Sequence, residues 1–339
     1  MRIWIDLANS PHVPFFRALR DEFVSLGHQV EFTARDFAET VDLAHHANLS
    51  IAVIGGHGGR QFAGKAGNLA SRSWDLAQWA RKRRFNLALS HNSYSQIVAA
   101  RALRLMTVTL MDYEYQPANH LAFRLSSKVI VPSCFPVSQV KAYGARTTKV
   151  GRYNGIKEDV YLADFKTDPS LESRLSALGV GPGDMIVVMR PPADEALYHR
   201  FENKLFDEAL RKALATEDAK VILLPRNQEQ RKRYEERPEA NLIIPDKPLP
   251  GPDLIARSDL VISAGGTINR EAAALGVPAV SVYAGRWAAV DQMLLEQGRL
   301  KRISTPEDVQ SMNIAKKPLL DLRRATEVRG EVVKLILEE

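Results

Sequence analysis

The chain has 339 residues, more than one hydrophobic core usually supports, so its length favours two domains. Its 45% hydrophobic and 25% charged residues are typical of a soluble globular protein. No apolar run is long enough to span a bilayer, and the single cysteine, Cys134, excludes an internal disulfide, so we expect a cytoplasmic protein. The net charge of +6 favours anionic partners such as nucleotides, anionic lipid or nucleic acid.

In the first half, predicted strands and helices alternate with short connections. The helix that begins near Pro14 shows apolar residues at helical spacing and ends at Gly27. The strands are 2–7, 28–34, 51–54, 85–89, 107–111 and 128–131, and the later helices are 37–47, 68–83, 94–103 and 118–125. This alternation predicts right-handed βαβ units and a parallel sheet.

A second series of alternating elements follows a polar, turn-rich connection at 151–182. Its strands are 185–189, 221–224, 242–244, 260–262 and 279–282, and its helices are 201–214, 228–235, 254–256, 268–276 and 290–297. We expect the terminal helix, 319–339, to pack back across both domains. The sequence therefore predicts an α/β protein with two Rossmann-like parallel-sheet domains, 1–150 and 183–318, facing a central cleft.

The most specific motif lies at 258–283, where an apolar strand runs into the turn SAGGT at 263–267. A helix starts near Ile268, so unpaired N–H groups and a positive dipole end meet a glycine turn that a phosphate can approach closely. This predicts a site for a nucleotide diphosphate, with Glu271 one turn further on to reach sugar hydroxyls. A plain structural turn is the alternative.

Other polar residues follow strands of the same predicted sheet at their carboxyl ends. An arginine at a strand tip can clamp a diphosphate with two hydrogen bonds, and polar residues beside it can line a nucleobase or sugar pocket. The candidate ligand-binding residues of the second domain are Arg190, Arg226, Asn227, Ser263, Gly265, Gly266, Thr267, Asn269, Glu271, Asp291 and Gln292.

Three residues of the first domain are candidates for catalysis. His12 follows the first strand, and an imidazole there can act as a general base on a hydroxyl. Asp112 and Glu114 follow the fifth strand and can share one face of an extended segment. Each carboxylate can serve as a base or stabilise positive charge on a sugar; a hydrogen-bonded loop carboxylate is the alternative reading.

Two further motifs have structural alternatives. Residues 59–65 fit the start of a P-loop, but Ala66 replaces the hydroxyl that magnesium needs, so we interpret the segment as a substrate-covering loop. We predict no metal site. The basic run 81–84 lies close to Trp74 and Trp79, which permits docking on an anionic membrane; a solvated helix end is equally compatible.

Four segments of the chain resemble a known family, that of domain of unknown function 354 (DUF354). They are RIWIDLANSPHVPFF, GHQVEFTARDF, NGIKEDVYLADF and SAGGTINREAAALGVPAVS. Over nearly its full length the chain is also similar to GT-B fold proteins. That group contains nucleotide-sugar glycosyltransferases and non-hydrolysing UDP-N-acetylglucosamine 2-epimerases. The resemblance implies the GT-B fold.

The same resemblance implies roles for several residues. ANSPHVPFFRAL is similar to the GGHV loop of the lipid-linked N-acetylglucosaminyltransferase of cell-wall synthesis, which implies a base at His12, although Asn-Ser-Pro replaces its glycines. The glycine turn and Glu271 correspond to diphosphate and ribose contacts, and Asp291 with Gln292 to a donor-sugar contact. The epimerases have glycine-aspartate where this chain has 91–92, and Glu114 only partly meets their glutamate-rich turn, so transfer is favoured.

We therefore predict a metal-independent GT-B glycosyltransferase that uses a nucleotide sugar, with UDP-sugar as the expected donor, and requires no cofactor. The acceptor is expected to be a sugar or a lipid-linked molecule bound by the first domain. A nucleotide-sugar 2-epimerase is the first alternative. A non-catalytic nucleotide- or RNA-binding protein is the second; nucleic acid is disfavoured because aromatic residues make up only 7% of the chain and no RNA-binding motif occurs.

Overall fold

The computed structural model describes residues 1–37, 39–56, 62–192, 202–317 and 325–338. It divides into two compact units. Unit 1 contains Met1–Ala163, Ala288–Val290 and the C-terminal helix, and unit 2 contains Asp164–Trp287 together with Asp291 and the residues after it up to that helix. Each unit contains one parallel sheet, so the predicted α/β fold with two Rossmann-like sheets is confirmed.

The sheet of unit 1 has seven strands in the order β3-β2-β1-β4-β5-β6-β7. Buried aliphatic runs form its central strands, as expected for a sheet covered on both faces. The strands are β1 (Arg2–Leu7), β2 (Gln29–Ala34), β3 (Ile51–Val53), β4 (Leu87–His91), β5 (Met106–Leu110), β6 (Lys128–Pro132) and β7 (Val150–Tyr153). The helices are α1 (His12–Ser25), α2 (Thr40–His46), α3 (Phe62–Ala80), α4 (Tyr94–Ala102), α5 (Asn119–Leu125), α6 (Val137–Ala142) and α7 (Lys157–Tyr161).

Unit 2 repeats this topology with six strands in the order β10-β9-β8-β11-β12-β13. The strands are β8 (Met185–Arg190), β9 (Ala219–Leu223), β10 (Leu242–Ile243), β11 (Leu260–Ser263), β12 (Ala279–Ser281) and β13 (Leu300–Arg302). The helices are α8 (Ser170–Ala177), α9 (Glu202–Leu214), α10 (Gln228–Glu235), α11 (Gly251–Arg257), α12 (Gly266–Ala274), α13 (Ala289–Glu296) and α14 (Pro306–Ser311). The first two residues of α13 belong to unit 1. No sequence prediction covered β13 or α14, because both are short and mostly polar.

The predicted connection at 151–182 contributes structure to both units. It supplies most of β7 and all of α7 to unit 1, and α8 to unit 2, and the chain changes unit after Ala163, inside this segment. The terminal helix, α15 (Ala325–Leu337), was expected to pack across both domains. The structure gives it core contacts in unit 1, where Val328, Val332 and Ile336 form one helical face against α1 and α7.

Candidate functional site

The strand order of unit 2 reverses between β8 and β11, which lie next to each other in the sheet. Arg190 at the end of β8 lies opposite Ser263 at the end of β11. In open parallel sheets, ligands bind at the carboxyl ends of the strands where the order reverses. The glycine motif singled out from the sequence lies at this point.

The turn after β11 leads directly into α12. Ser263 closes the turn, since its hydroxyl oxygen accepts a hydrogen bond from the Gly265 N–H at 2.9 Å. Gly265 precedes the helix and provides no side-chain cap, and the first turn of α12 contains no acidic residue. Gly266 is exposed, and Gly265 and Thr267 are half-buried. The first N–H groups of a nine-residue helix are therefore left for an anion.

Arginine side chains lie around this helix end. A Cβ atom added to Gly265 would lie 2.9 Å from Nη2 of Arg226, so a side chain there would displace this guanidinium. The Nε of Arg226 donates to the carbonyl of Pro191 at 2.8 Å, which holds the side chain beside the turn. The Nε of Arg190 is buried and makes no hydrogen bond within the described chain. Positive charge thus adds to the dipole of α12.

Four other predicted ligand-binding residues have defined structural contacts. Both carboxylate oxygens of Asp291 accept hydrogen bonds from Arg270, at 2.7 and 3.0 Å, so this carboxylate forms an ion pair where a sugar contact was expected. Asn227 caps α10 by accepting the N–H of Gln230. Asn269 is buried, and its amide nitrogen lies 3.5 Å from the carbonyl oxygen of Ser263. Gln292 is exposed, and its amide donates to the carboxylate of Glu296.

Glu271 lies half-buried in α12, one turn from the glycines. The structure therefore brings the glycine turn, Thr267, Arg190, Arg226 and Glu271 to one end of the unit 2 sheet. It gives Asn227 and Asp291 structural partners at the same end.

The strand order of unit 1 reverses between β1 and β4, and a buried ion pair lies at this point. Asp6, fully buried in β1, receives two hydrogen bonds from the guanidinium of Arg72 at 2.8 and 2.9 Å. The hydroxyls of Thr33 and Ser93 also donate to the Asp6 carboxylate. Because all these partners are satisfied, the network ties β1, β2, α3 and the start of α4 together.

Beside this network, five titratable residues form a buried cluster. The ring centroids of His12, the first residue of α1, and His91, the last residue of β4, lie 5.0 Å apart. The Nε2 of His91 lies 3.6 Å from Oδ1 of Asp112, and Nζ of Lys157 lies 3.3 Å from Oδ2 of the same carboxylate. Lys157 also lies 3.5 Å from Glu158 at the start of α7. We call these five residues the unit 1 cluster.

Burial holds the pKa of His12 well below its ordinary value, and the nearby His91 and Lys157 lower this pKa further. Asp112 acts in the opposite direction and raises it. His12 is therefore neutral near pH 7, which is the form that can accept a proton. Its Nδ1 is buried and has no hydrogen-bond partner among the residues described.

Glu114 is the third predicted catalytic residue. It is 1% exposed, and its Oε1 accepts the N–H of Ala289 at 2.7 Å. Its backbone carbonyl accepts the hydroxyl of Tyr143. The side chain is thus engaged with the backbone at the start of α13.

Sequence reasoning missed Lys157 and Glu158 and did not count His91 among the catalytic candidates. The charged residues lie in the segment interpreted as a polar connection, where lysine and glutamate are ordinarily solvated. A signal was nevertheless present, because Ile156 and Val160 flank three consecutive charged residues directly after a strand. Only the packing of α7 on α1 and α15 shows that these charges are buried.

The remaining predicted features lie elsewhere. The loop 57–61 is outside the described residues, as are the side chains at 62–66, and with them most of the P-loop-like motif. Within the described ranges, no three histidine, cysteine or acidic side chains are grouped to hold a metal. No helix there is long and apolar enough to cross a membrane. Trp74 is 67% exposed on α3, whereas Trp79 packs with Trp4 and Phe85.

Solved structures share this architecture over nearly the whole chain. The UDP-GlcNAc 2-epimerase of Methanocaldococcus jannaschii, in complex with UDP-GlcNAc and UDP, matches with a TM-score of 0.75 and 13% identity, covering 98% of each chain. The Anabaena protein HepE, in complex with UDP-glucose, matches with a TM-score of 0.63 and 16% identity, covering 100% of this chain and 96% of its own. At these identities the likeness shows the fold alone, and that fold is GT-B.

The sequence comparison defines the family. The model of the family described as protein of unknown function (DUF354) matches residues 1–338, so the chain belongs to this family, as its motifs indicated. An uncharacterized protein of Methanocaldococcus jannaschii is 28% identical over 306 residues, covering 88% of this chain and 86% of its own length.

Proposed function

We propose that the protein is a GT-B glycosyltransferase that takes a UDP-sugar as donor and needs no metal ion. The observation that carries the proposal is the uncapped N-terminus of α12, with its glycine turn and adjacent arginines, where the strand order of unit 2 reverses. Neighbours of the same fold have been solved with UDP-GlcNAc and UDP-glucose, which supports this class of ligand.

The donor diphosphate is assigned to unit 2. Its phosphate oxygens would accept hydrogen bonds from the first N–H groups of α12, while Arg190 and Arg226 neutralise the remaining charge. Glu271 is assigned to the ribose or sugar hydroxyls. Fixed amides and guanidinium groups stabilise a leaving diphosphate without a metal, because they are already oriented before the bond breaks.

The acceptor chemistry is assigned to the unit 1 cluster. Neutral His12 takes the proton of the acceptor hydroxyl as the oxygen forms its bond to the anomeric carbon. The bond between that carbon and the diphosphate breaks, and UDP leaves with the electron pair. Such proton transfer typically accelerates a reaction by about a hundredfold to ten-thousandfold.

A nucleotide-sugar 2-epimerase is the second candidate. The full-length match to the epimerase of Methanocaldococcus jannaschii favours it, and so do the buried carboxylates Asp112, Glu114 and Glu158 in unit 1. Those side chains provide acids and bases for removing and returning a proton on a sugar carbon.

One experiment separates these functions. The protein is incubated with UDP-GlcNAc or UDP-glucose without acceptor, and the products are followed by proton NMR while thermal shift records binding. We expect stabilisation by UDP and by at least one UDP-sugar, with the sugar intact or slowly hydrolysed. A changed configuration at C2 identifies an epimerase and refutes transfer. Failure of every nucleotide to bind, together with salt-dependent RNA binding, refutes both enzymes.

The proposal includes a peripheral membrane contact that delivers a lipid-linked acceptor to unit 1. Trp74 is exposed on α3, and Arg81, Lys82 and Arg84 at the end of this helix are exposed as well. An exposed tryptophan beside cations is the composition of a helix that lies in an anionic membrane interface. Arg83 instead stacks its guanidinium on the ring of Trp79, with its Cζ 4.1 Å from the ring centroid.

A further inference from the structure

The ring of His12 contacts that of His91, and both belong to a buried cluster whose members come from several elements of unit 1. His91 comes from the end of β4, Asp112 from the turn after β5, and Lys157 and Glu158 from α7. All of these side chains are at least nine-tenths buried. Water therefore screens their interactions poorly, so these charges act on His12 in addition to the effect of burial, which is the largest influence on its pKa.

Other nearby ionisable groups contribute less. Tyr153 in β7 is buried, and burial together with Asp112 and Glu158 raises its pKa well above the ordinary value, so it stays neutral. Asp6 in β1 is neutralised by Arg72. Asp42 of α2 is exposed to solvent, and the first turn of α1 contains no acidic residue. The charged groups that act on His12 are therefore Asp112 and Lys157, with His91 as a further titratable neighbour.

Lys157 and Asp112 form a direct ion pair at 3.3 Å, yet they act on His12 in opposite directions. The lysine disfavours a proton on the ring, whereas the carboxylate favours one. A base needs both influences, because it must be neutral before the reaction and must accommodate positive charge after it.

We propose that Lys157 and Asp112 are opposed positioning residues for His12: Lys157 keeps the ring neutral before reaction, and Asp112, next to His91, stabilises the imidazolium that forms. This inference rests on the proposed role of His12 as general base. It assigns a function to α7, since the helix carries Lys157 into the interior of unit 1.

The packing of α7 explains how a lysine is held at this place. Val328 of α15 lies so close to Gly155 that a Cβ atom there would approach it to 2.6 Å. Arg329 of α15 donates to the carbonyl of Val160 at 2.9 Å, and Asp159 accepts the N–H of Ile156 at the start of α7. The C-terminal helix thus fixes the orientation of the turn that carries Lys157.

The test measures the titration of His12 in the full-length protein without substrate. Ring-labelled histidine is followed by NMR over pH 4 to 8, and the His12 signal is assigned by its loss in His12→Gln. We expect Lys157→Met to raise the pKa of His12 and Asp112→Asn to lower it. Lys128→Met is the matched control and should change nothing, since Lys128 is a half-buried lysine in β6 of the same unit whose Nζ donates to the carbonyl of Glu338.

Buried charge changes can also weaken the fold, so a second variant is included. The double variant Lys157→Met/Asp112→Asn removes both charges together and should return the titration toward that of the parent protein. The proposal is overturned if the two single variants shift the pKa in the same direction, or if Lys157→Met leaves it unchanged.

Turnover then separates this inference from the proposed function. If His12 is the base, the acidic limb of the kcat/KM profile moves in the same direction as the NMR titration in each variant. Shifted titrations with an unshifted limb support the positioning role and refute His12 as the base. Bound UDP-sugar with unshifted titrations supports the donor site and refutes the positioning role.

Discussion

Units 1 and 2 have the same topology at the point where their strand order reverses, yet their charges are opposite. In unit 1, Asp6 of β1 lies opposite Ser90, and Arg72 and hydroxyl groups satisfy the carboxylate. In unit 2, Arg190 of β8 lies opposite Ser263, and the helix that follows has no cap. The comparison teaches that the same strand order holds a closed ion pair in one unit and an uncapped helix end beside an arginine in the other, because different residues stand at the strand ends.

The largest effect is expected from a substitution that breaks the hydrogen-bond network of Asp6 and Arg72 in unit 1. Asp6→Ala leaves the Arg72 guanidinium buried without its carboxylate, so we expect a loss of about 3 to 5 kcal/mol in the free energy of unfolding. Trp4 reports on this locally, because its indole N–H donates to Thr33, which itself bonds Asp6. Urea unfolding followed by tryptophan fluorescence measures the change.

Glu235→Ala is the control for this prediction. Glu235 forms a more exposed pair with Arg231 within α10, and loss of such a pair costs less than about 1 kcal/mol. If Asp6→Ala costs no more than this control, the network does not stabilise unit 1 as described.

The second prediction concerns the open helix end of unit 2. Arg190→Ala removes a charged donor, and Gly266→Ala places a methyl group over the first amides of α12. Each should weaken UDP binding by about tenfold to a hundredfold in isothermal titration calorimetry. The fold tolerates Gly266→Ala, since the added Cβ meets Arg270 at 3.5 Å, an ordinary contact.

Gly251→Ala is the matched variant for the glycine substitution. Gly251 is also the first residue of a helix in unit 2, and a Cβ atom there contacts nothing within 4 Å. Its UDP affinity should equal that of the parent protein. Equal affinities in all three variants would place the nucleotide away from α12.

The third prediction uses the low pKa of His12. The unfolded chain binds a proton at this histidine below about pH 6.5, whereas the folded chain does not until much lower pH. Stability from neutral His12 is therefore present above the unfolded pKa and is lost as the pH falls below it, at up to about 1.4 kcal/mol per pH unit. His12→Gln lacks this loss.

Urea unfolding at pH 7.5 and 5.5 measures the direction in which stability changes with pH. The parent protein should lose more stability than His12→Gln on acidification, and the difference between the two proteins isolates His12 from other titrating groups. Parallel losses in both proteins would mean that His12 titrates normally in the folded state.

The smallest effect concerns the proposed membrane contact of unit 1. Arg81→Ser should weaken binding to vesicles that contain phosphatidylserine by about 1 kcal/mol, and Trp74→Ala should weaken it further. Arg231→Ser, a basic residue of unit 2 that is paired with Glu235, is the control in cosedimentation. Equal binding of all variants, or no binding by the parent protein, would contradict the contact.

The sequence alone determined the α/β class, the two parallel sheets and the position of the glycine turn. These features depend on local patterns, since apolar runs, glycines and helix-start residues act within a few positions along the chain. The resemblance of four short segments also identified the DUF354 family, which the full-length match confirmed. The expected roles of His12, Arg190 and Glu271 remain predictions.

Tertiary structure decided which charges meet. Lys157 lies far from His12 and Asp112 in sequence, and the polar character of its segment indicated a solvated connection until the packing of α7 against α1 and α15 buried it. Asp291 forms an ion pair with Arg270 for the same reason, since neither residue type reveals its partner. A sequence pattern determines which face of an element is apolar, but a buried charge is stabilised by partners that only the folded chain brings within a few ångströms.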